Sequence, residues 1–192
     1  MKRYVVGISG ASGVVLAVKL VKHLAVLGHH VDVIISPAAM KTLYYEMGES
    51  SFISLIPKES HKHVVTHSIK AIESPLASGS YHVEGTIIVP CSMATVAALS
   101  IGLGDNLLRR VADVALKERR KLILVPREAP LHSIHLENLL KLSQNGAIIF
   151  PPMPMWYFTP KTVEEVTDQL VGKMLSLLGI DNTLAKVWQL PS

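Results

Sequence analysis

VVGISGASGVV (residues 5–15) decides the fold. An apolar run breaks into three glycines and two serines between Gly7 and Gly13, then resumes. The first half reads as a buried strand over Tyr4–Ile8. The second opens a helix over Gly13–Leu27, with its stop signal at Gly28. Such a strand–loop–helix junction lets a ligand approach the backbone closely. The spacing is not the dinucleotide pattern G-x-G-x-x-G, because Ile8 stands where the first glycine would fall in the register of Gly10 and Gly13. No Gly-Lys-Ser/Thr follows, which removes the P-loop. Backbone N–H groups at a helix start still suit an anion.

Working outward, VDVII (31–35) is a second strand, followed by a helix over about 37–47. Residues 48–84 form an irregular excursion holding one short strand or helix. GTIIVP (85–90) and KLILVP (121–126) are further strands, with a helical pair turning at GLGDN between them. A helix over about 133–144, AIIFPP (147–152) and a last helix over about 162–178, stopped by Gly179, complete the chain. Continuous Val/Ile runs alternating with helices predict one α/β domain spanning 1–192, a doubly wound and mostly parallel sheet with helices on both faces. Ligands bind outside the carboxyl ends of such strands. Those ends are GISGASG, ISPAA, VPCSMAT, VPREAP and FPPMPMWY, each with a polar, Gly or Pro residue just past an apolar run.

Apolar residues make up 49% of the chain and charged ones 18%, with mean hydropathy +0.36. No apolar stretch reaches the roughly 18 residues of a membrane span. The surplus apolar surface therefore predicts burial between subunits of a homo-oligomer. The single cysteine, Cys91, allows no internal disulfide and predicts a reducing, cytoplasmic setting. The net charge of +4 is spread along the chain. With 5% aromatics to stack bases on, it fits an anionic small ligand better than a nucleic acid.

Several residues stand out. Ser36 ends the second strand where an NAD site would place an acid, which points away from NAD and leaves a mononucleotide such as FMN. PCSMAT (90–95) offers hydroxyls for a heterocycle's edge, and Ser92 doubles as a helix cap. Cys91 reads as a buried thiol. Among Lys117, Arg119 and Arg120, most of the charge serves a helix C-terminus. Arg127 and Glu128 follow a buried strand at the ligand edge. The histidines of HKHVVTH (61–67) lack partners to complete a metal site, and no Asp-rich motif is present to carry magnesium. PMPMWYF (152–158) is either core filling or an apolar wall for a planar ligand.

The segments GISGASG, ISPAA, PCSMAT, DNLLRRVADVALKERRKLILVPREAP, IHLENLLKLSQNGAIIFP and WYF-x-P together resemble the UbiX-type flavin prenyltransferases across nearly the whole chain. That family has a Rossmann-like flavoprotein fold shared with flavin-containing decarboxylases. The resemblance implies that reduced FMN and dimethylallyl phosphate are joined, without a metal, into prenylated FMN for a UbiD-type decarboxylase. It also implies a trimer-based dodecamer.

By the same resemblance, Gly10, Ala11 and Ser12 lie against the flavin, Ser12 also near the prenyl phosphate. Ser36, the segment Ser92, Met93, Ala94 and Thr95, and Arg127 are further FMN contacts. Tyr157 and Lys173 hold the donor phosphate, assisted by Lys117, and Trp188 helps to cover the site. Glu46 and Glu128 are the functional carboxylates, Glu128 moving a phosphate-linked proton and Glu46 organising the flavin side. Two departures appear. Leu16–Ala17 replace a Tyr-Gly pair found in many relatives, which alters helix packing. Lys173 replaces an Arg used by some, a point charge for a bidentate fork, which predicts salt-sensitive phosphate binding. The rival on the same fold, a flavin-dependent cysteine decarboxylase, carries PASANT and an Asn-containing P-x-M-N element, which here read PCSMAT and PPMPMWY. A non-catalytic FMN carrier would have no use for a second set of phosphate cations.

Overall fold

The four longer strands, Arg3–Ile8, His30–Ile35, Gly85–Cys91 and Lys121–Pro126, are buried along their middle, which only a sheet covered on both faces allows. The structure, a computed structural model, describes residues 1–185. Two compact units emerge, Met1–Pro151 and a second starting at Pro152.

The first unit runs β1 (Arg3–Ile8), α1 (Val14–Val26), β2 (His30–Ile35), α2 (Pro37–Met47), β3 (Val64–His67), β4 (Gly85–Cys91), α3 (Met93–Ser100), α4 (Leu107–Lys117), β5 (Lys121–Pro126), α5 (Ser133–Gln144) and β6 (Ile148–Ile149). Short 3₁₀ turns at Ile53–Leu55, Lys58–His63 and Pro75–Ala77 fill the excursion before and after β3. The six strands are all parallel, in the order β3-β2-β1-β4-β5-β6. From β1 the chain moves outward to β2 and β3, then returns to place β4 on β1's other side. The β1/β4 border is therefore the topological switch point, and a crevice opens beyond its carboxyl ends.

Strand side chains alternate between faces. Val5, Ile34, Ile88, Leu122 and Leu124 join Leu107, Leu108, Val111 and Ala112 of α4 in one buried cluster. Their neighbours Tyr4, Val6, Ile87 and Ile123, also buried, face the other way, where α1 packs over β1, β2 and β4. The helix boundaries of α2 and α5 match those read from the sequence. The last strand is only two residues long: Phe150 still donates its N–H to the Leu124 carbonyl oxygen at 2.8 Å, and the prolines after it have no N–H to continue the ladder.

Within HKHVVTH, Val64–His67 form the edge strand β3, and the residues before it end a 3₁₀ turn. His67 Nε2 lies 2.7 Å from Asp32 Oδ1, while Arg3 donates to Asp32 Oδ2 at 2.8 Å. Asp32 is 2% exposed, so two partners satisfy a carboxylate that would otherwise be costly to bury. This pairing ties β1, β2 and β3 together at mid-sheet.

The second unit contains a 3₁₀ turn, Trp156–Phe158, and α6 (Val163–Leu178). Thr162 caps α6 by accepting the Glu165 N–H at 3.1 Å, and Gly179 ends it in the left-handed region, as its sequence position predicts. Leu170, Val171, Met174 and Leu175 are buried. No helix among the described residues is long and apolar enough to cross a membrane.

Candidate functional site

Parallel strands send every βα loop to one edge, where α1, α2, α3 and α5 follow such loops. Helix α2 is capped by Ser36, whose Oγ accepts the Ala39 N–H at 3.1 Å. Helix α3 is capped by Ser92, whose Oγ accepts the Thr95 N–H at 3.3 Å and lies 3.1 Å from Thr95 Oγ1. Helix α1 has no side chain of its own at its start. Gly13 holds the N-cap position at φ 103°, a left-handed conformation that glycine adopts without strain.

Glu46, at the end of α2, fills that gap. Its carboxylate accepts the Gly13 N–H at 3.0 and 3.1 Å and the Val14 N–H at 3.0 Å. The anion seat expected at the start of α1 is therefore taken by the protein's own carboxylate. A full negative charge over the positive end of a helix is stabilising, and it disfavours a second anion there. What the β1–α1 loop offers to a ligand is a flat polypeptide surface. Gly10 and Ser12 are exposed and Ala11 is half-buried. A Cβ on Gly10 would stand 2.5 Å from the Cβ of Ala38, so the loop lies directly against the first turn of α2.

The neighbouring loops complete the edge. Ser92 is half-buried and Ala94 exposed, while Met93 and Thr95 are buried. Met93 and Thr95 thus shape the loop from below while Ala94 faces outward. The Arg127 N–H donates to the Cys91 carbonyl oxygen at 3.2 Å, joining the end of β5 to that of β4. Arg127 and Glu128 are both exposed, and Glu128 Oε1 accepts the Ala129 N–H at 3.1 Å. Cis bonds occur at Val89–Pro90, within β4, and at Ala129–Pro130, in the loop after β5. Cys91 is fully buried, and burial pushes its thiol far above the usual range, so it stays protonated and inert.

The structure thus gathers Gly10, Ala11, Ser12, Ser36, Glu46, Ser92, Met93, Ala94, Thr95, Arg127 and Glu128 along one edge of the first unit. Lys117 is not among them. It ends α4, just before β5 starts, and so lies at the opposite edge. The six residues of β5 separate it from Arg127 by roughly 20 Å at the usual rise per residue. There its ammonium pairs with Glu118, holding that carboxyl below its ordinary range. A cavity of about 370 Å³ opens beside it, lined by Leu99, Ser100, Asp113, Lys117, Arg119 and Lys141. Three helices end at this cavity, and its cations complement their C-terminal dipoles. In the second unit, Tyr157 is exposed with its ring centroid 4.3 Å from that of Phe158, and Lys173 is exposed on α6. Trp188 lies outside the described residues.

One residue escaped the sequence reading. Ser9, 3% exposed, donates its hydroxyl to the Pro90 carbonyl oxygen at 3.1 Å and accepts the Ser92 N–H at 2.7 Å. Its signal was a polar residue at the end of a buried apolar strand, where a bonding partner is obligatory.

This donor set fits a flavin mononucleotide. A planar ring suits an exposed loop whose anion seat is already filled, and Ser36 Oγ, which accepts the Ala39 N–H, keeps a hydroxyl proton to offer. No group of three His, Cys, Asp or Glu side chains placed to hold a metal occurs among the described residues.

Comparison with known proteins gives the family. The flavoprotein family model matches residues 1–187. A flavin prenyltransferase UbiX of Chlamydia trachomatis is 66% identical over 191 residues, covering all of both chains. One from Methanocaldococcus jannaschii is 45% identical, covering 97% of this chain and 98% of its own. Among solved structures, AnUbiX (PadA1) in complex with FMN and dimethylallyl pyrophosphate superposes with a TM-score of 0.92 at 39% identity, covering 100% of this chain and 99% of that one. A dodecameric FMN-dependent UbiX-like decarboxylase from Escherichia coli O157:H7 gives 0.90 at 37%, covering 97% and 99%. The peptidyl-cysteine decarboxylase EpiD, at 18% identity and 0.56, shares the fold alone, covering 80% of this chain and 83% of its own.

Proposed function

The chain belongs to the UbiX-type flavin prenyltransferases, and from that premise we propose that it joins a dimethylallyl group from dimethylallyl phosphate to reduced FMN. The observation that carries this reading is the serine-capped edge at the β1/β4 switch point, with Glu46 closing the start of α1 to anions. The flavin supplies an electron-rich ring that takes up the allyl group when bound. The rest falls to the protein.

Gly10, Ala11 and Ser12 carry the ring's face, and Ser92 to Thr95 its polar edge. Ser36 and Arg127 complete the FMN contacts. Breaking an allylic C–O bond builds negative charge on the leaving phosphate, which positioned cations and a phenol stabilise. Lys173 and Tyr157 are assigned that work, assisted by Lys117. Glu128 passes a proton to or from the phosphate side, while Glu46 holds the flavin loop in shape. Lys117, at the far edge of its own sheet, serves a donor phosphate only from a second copy. A homo-oligomer built from trimers supplies one, and the dodecameric relative of Escherichia coli supports that assembly. Residues 1–192 then act as a single catalytic domain. The product, prenylated FMN, goes to a UbiD-type decarboxylase, and the lone buried thiol of Cys91 accords with the cytoplasm.

The test is anaerobic turnover with reduced FMN and either dimethylallyl phosphate or the pyrophosphate, followed by the mass of the extracted flavin. A gain of one five-carbon prenyl unit with the monophosphate supports the reading. A gain with the pyrophosphate alone would replace the donor, and unchanged flavin with both would overturn the activity.

A further inference from the structure

Ser9 lies between the last residue of β1 and Gly10, inside the molecule rather than on the ligand edge. Its hydroxyl reaches both sides of the β4–α3 loop: the carbonyl of Pro90 where the loop is entered and the N–H of Ser92 where the helix begins. Its own N–H also donates to Pro90 O, at 3.2 Å. A buried hydroxyl is costly unless bonded, and this one is used both as donor and as acceptor.

The contact is directional in its consequences. Ser92 offers its N–H to Ser9 and turns its Oγ to the first turn of α3. Fixing the Ser92 peptide therefore fixes the start of α3, and with it the outward-facing Ala94. Ser9 belongs by sequence to the glycine loop, so one side chain sets the spacing between the two loops that meet at the switch point. Gly10 follows directly, held against Ala38. A chain of contacts thus runs from α3 through Ser92, Ser9 and Gly10 to α2.

We infer that Ser9 is a positioning residue for the flavin. Its buried hydroxyl locks the β4–α3 loop to the β1–α1 loop, so that both present one preformed surface to FMN. The inference rests on the placement of FMN on these loops. Preorganisation of this kind is felt in the affinity of the ligand that bridges the loops, not in that of a donor held elsewhere.

Ser9→Ala and Ser9→Thr separate this role from a purely structural one. For Ser9→Ala the expected result is an FMN Kd raised about tenfold, equivalent to about 1.4 kcal/mol. The KM for the prenyl donor should be unchanged at saturating FMN. Ser9→Thr keeps the hydroxyl and should restore the FMN affinity. An alanine variant that melts at a lower temperature yet binds FMN like the parent overturns the inference. So does a threonine variant that is as stable as the parent but binds FMN as weakly as the alanine one.

A second readout needs no flavin. Amide hydrogen exchange at Ser92 should be faster in Ser9→Ala and like the parent in Ser9→Thr. Unchanged exchange in the alanine variant removes the coupling itself. Faster exchange in a protein that does not bind FMN even with Ser9 intact would instead overturn the placement of the flavin.

Discussion

Helices α1, α2 and α3 start at the same edge of the same sheet, yet their first turns are satisfied by different means. Helices α2 and α3 use the serine at their own N-cap. Helix α1 uses Glu46, which comes from the end of another helix, 33 residues from Gly13. A capping hydroxyl accepts one backbone N–H and keeps a proton to donate. A carboxylate takes several N–H groups and adds a full negative charge. One edge therefore offers two kinds of surface. The starts of α2 and α3 remain open to an anionic or polar ligand, and the start of α1 is closed to anions and left flat.

The largest disturbance of that difference comes from Gly10→Ala. The added methyl would meet Ala38 at 2.5 Å, and neither group can swing aside. A loss of about 1–3 kcal/mol is expected from overpacking, read as a lower melting temperature, with FMN binding lost alongside. Adding Ala38→Gly should recover most of both. Next in size is Ser92→Ala, which removes the α3 cap at a cost of about 1 kcal/mol. Ser92→Asp should keep the cap, and hence the stability, while weakening FMN binding by giving α3 the same charge that closes α1. If the aspartate variant binds FMN as the parent does, the two kinds of helix start do not differ as described.

Glu46→Gln sharpens the comparison with a smaller effect. The amide oxygen still accepts, but the charge is gone, and about 0.3–1 kcal/mol of the dipole interaction goes with it at low salt. The difference in melting temperature from the parent should shrink as salt is raised. The smallest expected effect is at Cys91, beside the α3 cap. Its burial keeps the thiol protonated, so iodoacetamide at pH 8 should leave the folded protein's mass unchanged.

These same residues show what a sequence makes legible. A serine before a helix, with its partner N–H three residues on, is local, and Ser92 was readable as a cap for that reason, while Ser36 was readable as a ligand-edge residue from its place at the end of an apolar strand. The parallel sheet was readable because β1, β2, β4 and β5 are unbroken apolar runs. Glu46 was reached only through family resemblance, since nothing near it in the chain announces that it crosses to Gly13. Ser9 was missed because its partners, Pro90 and Ser92, lie more than 80 residues away. Lys117 shows the converse. Its sequence neighbours place it in the family's pattern, while the topology sets it at the far edge of the sheet, a separation that only the strand direction reveals.

The account turns on where the flavin lies, and amide hydrogen exchange with and without FMN measures that directly. Slower exchange at Gly10–Val14, Ala39 and Ser92–Val96, the three helix starts and their loops, is the predicted result. Tight FMN binding with protection confined to residues outside those loops would contradict it.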